Sequence, residues 1–196
     1  MTSDSDDDRT DRDAFCAPHV EAARPPLATG CDDSQMSIAI TTPPVAFEPE
    51  FIAAIKSLFE ERIAFNRVIG LRIDGIAATE VTGHLEMRPE LIGHDLHQRL
   101  HGGVISAALD AMAGVALMAA IGARHMGEPP AARMARFAKL GTIDLRIDYL
   151  RPAIGSRFEL RGEVVRLGAR IGSTRMDITG ADGRLLATGN AAYIVS

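Results

Sequence analysis

The sequence predicts an α+β domain in which a curved antiparallel sheet wraps one long central helix. Three observations predict it. From Gly102 to about Gly122 the chain is almost wholly glycine, alanine and larger apolar residues, apart from Ser106 and Asp110. Four segments of alternating polarity follow, joined by short turns, and a helix-period segment and two short strand-period segments come before. A helix so rich in glycine is weak alone and makes sense only with other backbone packed closely around it.

At 196 residues and 46% hydrophobic content the chain is long enough for one well-filled core. Its charge is uneven. Residues 1–48 carry ten acidic and three basic side chains, whereas the remainder carries sixteen and eighteen. The nearly neutral body has no long basic run and no basic clusters interleaved with aromatics, so nucleic acid is excluded as a partner on electrostatic grounds. Cys16 and Cys31 both fall in the acidic segment, which leaves no disulfide framework or cysteine zinc site for the body and fits a cytoplasmic setting. The opening MTSDSDDDRTDRD is acidic where an export signal is basic, and no apolar stretch follows it. Residues 1–47 read as a disordered acidic tail, with Met36 as an alternative start, and 48–196 as the folded domain.

The first helix is expected over residues 50–65, where Phe51, Ile52, Ile55, Leu58, Phe59 and Ile63 share a face. Two strands are expected at 70–77 and 81–87, the second stopped by Pro89. Residues 93–100 read as a loop before the long helix. That helix approaches the length of a membrane span, but Asp110 near its middle, Gly114 and the lack of flanking aromatic or lysine anchors argue against one. After a basic, alanine-rich connection at 131–139, strands are expected at 142–150, 157–167, 170–179 and 184–195, forming a meander. In the first of these, Ile143, Leu145, Ile147 and Tyr149 form the covered face. Asp182-Gly183 is a hairpin signal. The edges of such a sheet are hazardous unless paired, so a homodimer with a continuous sheet, or a tetramer built from two dimers, is the expected unit.

Asp110 is the residue that needs explaining, since a lone acid on a greasy segment is costly unless paired, neutralised or used. Gly102-Gly103 opens the same helix with unobstructed backbone N–H groups at the positive end of the dipole, a corner suited to an anion or a developing oxyanion. About two turns, roughly 10–12 Å of rise, separate the pair from Asp110. Either a substrate lies along the helix, or Asp110 of one subunit meets the glycine N–H groups of the other; we favour the second. A carboxylate withdrawn from water is a stronger base once water or substrate reaches it. The plainer account has Asp110 satisfied by Ser106 or by an arginine of the other subunit, and the glycines as a flexible helix entry.

LHGGVISAALDAMAG, the later GTIDLRIDYLRPAIGSRF and the closing ATGNAAYIV resemble the hotdog-fold acyl-CoA thioesterases of the PaaI type, most of all the YigI subgroup that acts on medium- to long-chain acyl-CoA. The likeness covers residues from about 50 to 196. It implies a hotdog fold, hydrolysis of acyl-CoA to fatty acid and CoA, and no metal or bound cofactor, coenzyme A being part of the substrate. It further implies that Asp110 activates water or attacks the carbonyl. The N–H of Gly103 would polarise the carbonyl oxygen, with Gly102 and His101 shaping the turn. The family usually places an asparagine in the loop before H-G-G, where this chain has His94, Asp95, His97 and Gln98; Gln98 is taken as its replacement, with His94 next. A hotdog acyl-CoA sensor without turnover and a hotdog enoyl-thioester hydratase using His101 with Asp110 are the two alternatives.

Other residues carry weaker signals. His94, His97 and His101 at i, i+3 and i+7 would share a helical face fit for a metal, but the glycines around them speak against a regular helix and no fourth ligand is marked. Arg151 suits the phosphates of coenzyme A, with Ser106 as a further contact; a surface arginine paired with Asp148 or Glu159 is as good an account. Arg133, Arg136 and Lys139 form a small basic patch that would serve the same nucleotide or simply be solvated. Met112, Val115, Leu117, Met118 and Ile121 line an acyl tunnel or, for the most part, fill the core.

Overall fold

The structure, a computed structural model, describes residues 45–196. The tail expected over 1–47 and the alternative start at Met36 lie outside the described residues, except for 45–47, where Phe47 is buried against the domain. Helix α1 spans Pro49–Lys56, continues as a π-helical stretch over Ser57–Arg62, breaks at Ile63 in extended conformation, and resumes as α2, Ala64–Ile69. The single helix expected over 50–65 is therefore divided. Phe51, Ile55, Phe59 and Ile63 recur every four residues, and each step overshoots a 3.6-residue turn by about 40°, so a straight α-helix would carry the later ones off the core. The wider π turn keeps Phe59 buried, and the break turns Asn66 and Ile69 inward while Phe65 and Val68 stay exposed. Gly70, at φ +74°, ends α2 in the left-handed conformation.

Strands β1 (Arg72–Ile76) and β2 (Glu80–Glu86) form a hairpin. The expected loop contains more order than its composition signals: β3 (Ile92–His94) and β4 (Arg99–Leu100) pair around a 3-10 turn at Asp95–His97. Helix α3 follows, Gly102–Arg124. The alanine-rich connection forms α4 (Pro130–Ala135) and a 3-10 turn, Arg136–Lys139. Strands β5 (Gly141–Tyr149), β6 (Arg157–Leu167), β7 (Ile171–Gly180) and β8 (Leu185–Ile194) complete the described residues.

The six long strands form one antiparallel sheet in the order β1-β2-β6-β7-β8-β5. Only β6, β7 and β8 make the expected meander. Strand β5 pairs with β8 rather than with its successor β6, because β2 occupies that side of β6. The hotdog arrangement implied by the resemblance is present: α3 lies in the concave face of the sheet, with Met112, Val115, Leu117, Met118 and their neighbours buried. A Cβ on Gly162 of β6 would sit 2.9 Å from the Met112 carbonyl oxygen, so helix and sheet backbones nearly touch there. By length and composition α3 passes as a membrane span, but most of it is enclosed by the domain's own strands. On the convex face, Glu80, Arg161, Glu163 and Arg175 form a chain of ion pairs, the solvated side of the sheet's two-residue alternation.

Candidate active site

Asp110 projects from the middle of α3 into a cleft of about 340 Å³ lined by Phe59, Ile63, Phe65, Ala107, Leu140 and other residues of α2, α3, β5 and β8. Asp110 is half-buried, so its withdrawal from water is partial. Two hydroxyls hold it. Thr142 Oγ1 donates to Oδ1 at 3.0 Å, and Tyr193 OH donates to the same Oδ1 and, at 2.7 Å, to the Asp110 backbone carbonyl. Burial, and then the hydrogen bond to Asp110, push the Tyr193 phenol well above its usual range, so it remains a donor. Oδ2 accepts no hydrogen bond among the described residues. Ser106 is not the partner that the plainer account offered, since its Oγ donates instead to the Gly103 carbonyl at 3.1 Å, and no arginine among the described residues of this chain pairs with Asp110.

Thr142 reaches Asp110 because of a β-bulge. In β5, Thr142 faces Tyr193 and Asp144 faces Ala192, leaving Ile143 as the extra residue. The bulge reverses the alternation, so Thr142 joins Leu145 and Ile147 on the helix side while Ile143 is 57% exposed. Ile143 is therefore not on the covered face expected from the period-two pattern. Tyr149, at the far end of β5 and 54% exposed, is not covered either; its hydroxyl donates to the Gly102 carbonyl at 2.8 Å.

The helix start lies in a different cleft, lined by Arg99, Gly102, Ile105, Tyr149 and Arg151 among others. Here His101 shapes more than a turn. Its Nδ1 accepts from the Gly103 N–H at 2.9 Å and so caps α3, which requires that nitrogen to be unprotonated. The amide expected to polarise a carbonyl is thus engaged, while the Gly102 N–H has no partner among the described residues. The close seating of His101 depends on Gly93, where a Cβ would lie 2.6 Å from the His101 Cα. His101 sits at the N-cap of α3 and does not line the Asp110 cleft, so one chain does not bring them together as the acid and base of a hydratase.

Gln98 adopts a left-handed conformation, φ +46°, and its amide donates to the Asp95 carbonyl at 2.8 Å, away from Asp110. The three histidines do not share a helical face, since a strand and a 3-10 turn carry them. His94 and His97 stack at 4.7 Å, and among the described residues no three His, Cys, Asp or Glu side chains group as a metal site. Arg151 donates to the Leu185 carbonyl at 2.8 Å rather than pairing with Asp148 or Glu159, which hold Arg146 and Arg157. The basic patch is dispersed. Arg133 is fully buried against Phe51 and Glu48, and Arg136 pairs with Glu128. The apolar residues expected to line a tunnel are core residues, and on α3 the cleft is lined instead by the small residues Ala107, Ala111 and Gly114.

A sheet curled around a helix that carries one clefted acid and begins with two glycines defines a hotdog protein of the thioester-handling class. The family model described as Thioesterase superfamily matches residues 97–187. The medium/long-chain acyl-CoA thioesterase YigI of Salmonella typhimurium is 31% identical over 141 residues, covering 72% of this chain and 91% of that protein. A Shewanella oneidensis protein related to the thioesterase superfamily has a TM-score of 0.69 at 33% identity, covering 76% of this chain and all of that one. A mutant of the phenylacetic acid degradation protein PaaI from Thermus thermophilus gives 0.53 at 25% identity, covering 68% and 99%. The chain belongs to the thioesterase superfamily and, within it, to the PaaI-like hotdog thioester hydrolases that include YigI.

Proposed function

We propose that the protein hydrolyses medium- to long-chain acyl-CoA to a free fatty acid and CoA, with Asp110 as the general base and without metal or bound cofactor. The observation that carries this is the state of the carboxylate. Thr142 and Tyr193 fix Oδ1, and Oδ2 is left open in an apolar-walled cleft. In the step proposed, a water proton passes to Oδ2 as the water oxygen bonds to the thioester carbonyl carbon. Collapse of the adduct then breaks the C–S bond, the electron pair leaves on sulfur, and the proton on Asp110 goes to the departing thiolate. The apolar walls, and the substrate in the printed name of YigI, support a fatty acyl chain of that length.

The oxyanion is received at the start of α3, where the Gly102 N–H is free and the Gly103 N–H becomes free when the His101 ring turns away. Asp110 and these amides lie in separate clefts of one chain, which supports a homodimeric or tetrameric enzyme whose site joins Asp110 of one subunit to the glycines of the next. Arg151 and Ser106, near that helix start, would then meet coenzyme A. We read the enzyme as cytoplasmic, because the body from residue 48 onward carries no cysteine for the disulfides that an oxidising compartment favours. The test is thiol release from a panel of acyl-CoA substrates by the wild type and by Asp110→Asn. Turnover should rise with chain length to an optimum in the wild type and fall about a thousandfold in the variant, with the melting temperature retained. Full activity in Asp110→Asn would end this mechanism.

A further inference from the structure

We propose that Asn66 is a catalytic residue of this enzyme, its side-chain amide holding the attacking water against Oδ2 of Asp110; this rests on the thioesterase reading above. Asn66 is 5% exposed, yet its side chain forms no hydrogen bond among the described residues. It also lines the Asp110 cleft. An amide that lines a cleft and has no partner among the described residues is open to a water.

The polar side chains lining that cleft are Asp110, Thr142, Tyr193 and Asn66. The hydroxyls of Thr142 and Tyr193 are committed to Oδ1. That leaves Oδ2 of Asp110 and the amide of Asn66 as the uncommitted groups. A water that gives one proton to Oδ2 and the other to the Asn66 carbonyl oxygen presents its lone pairs to a thioester entering the cleft. The base alone fixes one of its hydrogens; the amide fixes the second and hence the direction of attack.

The local fold makes this placement. The break at Ile63 rotates α2 so that Asn66 and Ile69 point inward while their neighbours Phe65 and Val68 point out. In the loop before H-G-G, where the sequence led us to seek an amide, Gln98 is turned onto Asp95. The amide of this active site is thus supplied from the N-terminal helical segment.

The experiment compares wild type, Asn66→Leu, which keeps the volume and removes the hydrogen bonds, and Asn66→Ser, which restores a polar group. Steady-state acyl-CoA hydrolysis is measured beside the Kd of a non-hydrolysable thioether analogue. A group that touches only the water should lower kcat about 10- to 100-fold in Asn66→Leu, leave KM and the analogue's Kd within about threefold, and recover in part with serine. A kcat within twofold of wild type overturns the proposal, as does a loss confined to Kd. Should Asn66→Leu fail to fold, Asn66→Ala is read by the same criteria. A folded wild type that releases no thiol overturns the thioesterase reading and this proposal together, whereas an active wild type with unaffected Asn66 variants overturns this one alone.

Discussion

At the scale of single residues, the decisive fact is that two hydroxyls share one oxygen of Asp110. A carboxylate pinned through Oδ1 keeps Oδ2 aimed into the cleft, so the base is oriented before substrate arrives. Thr142 is the cleaner probe of this, since it is exposed and its loss costs little stability. We expect Thr142→Val to lower kcat roughly tenfold with KM unchanged, and Thr142→Ser to restore it; equal kcat in Thr142→Val and wild type, in a steady-state assay, would show the pin to be idle. Asp110 and the double glycine were legible in the sequence because an acid and unobstructed amides stand out on an apolar helix. Thr142, Tyr193 and Asn66 were not. Tyr193 lies in a stretch that reads as plain alternating strand, the period-two pattern puts Thr142 on the outer face, and Asn66 falls just beyond the expected first helix with no motif around it. Each is placed by a local irregularity or by a contact distant along the chain, which periodicity does not encode.

At the scale of elements, those irregularities have a common use: the bulge in β5 and the break between the π-helical stretch and α2 each turn a polar side chain toward Asp110. Their bounds explain where the sequence reading held and where it slipped. The alternation of β6, β7 and β8 is regular and their spans fall within a residue or so of expectation, whereas the divided helix and the bulged strand depart from it. The same helical segment is anchored from below by Arg133, fully buried on α4, with Glu48 just ahead of α1 as its counter-ion and Phe51 under its guanidinium at 4.3 Å. Arg133 holds the Glu48 carboxyl below its ordinary range. Stability from the pair is therefore present above the ordinary carboxylate value and is lost as pH falls through the lowered one. Removing one partner of such a pair is not symmetrical. Glu48→Gln leaves a buried guanidinium unpaired, whereas Arg133→Met fills the space and leaves only an exposed carboxylate. Thermal melts should show the larger loss of Tm in Glu48→Gln and a flattened acid limb of its stability profile; a larger loss in Arg133→Met would refute the asymmetry.

At the scale of the whole molecule, the sheet ends on one side at β5, which carries exposed Ile143, Arg146 and Tyr149 and, among the described residues, pairs only with β8. The sequence made the wrapped helix and the need for a covered edge legible, because both follow from burial, but not the position of β5 beside β8, which depends on β2 having taken the neighbouring place. An open edge, with Asp110 and the helix start in separate clefts, is what the proposed site shared between subunits requires. Complementation tests this directly. Asp110→Asn removes the base, and Gly102→Val places a side chain in the cleft at the helix start, where an added Cβ meets Tyr149 at an ordinary 3.5 Å so the chain can still fold. Each variant alone should be inactive. In a hybrid dimer both lesions fall in one site and the other site is intact. With random pairing half the dimers are hybrids, so an equimolar co-refolded mixture should recover about a quarter of wild-type turnover. A site contained within one chain predicts no recovery at any ratio, and thiol release from the mixture decides between them.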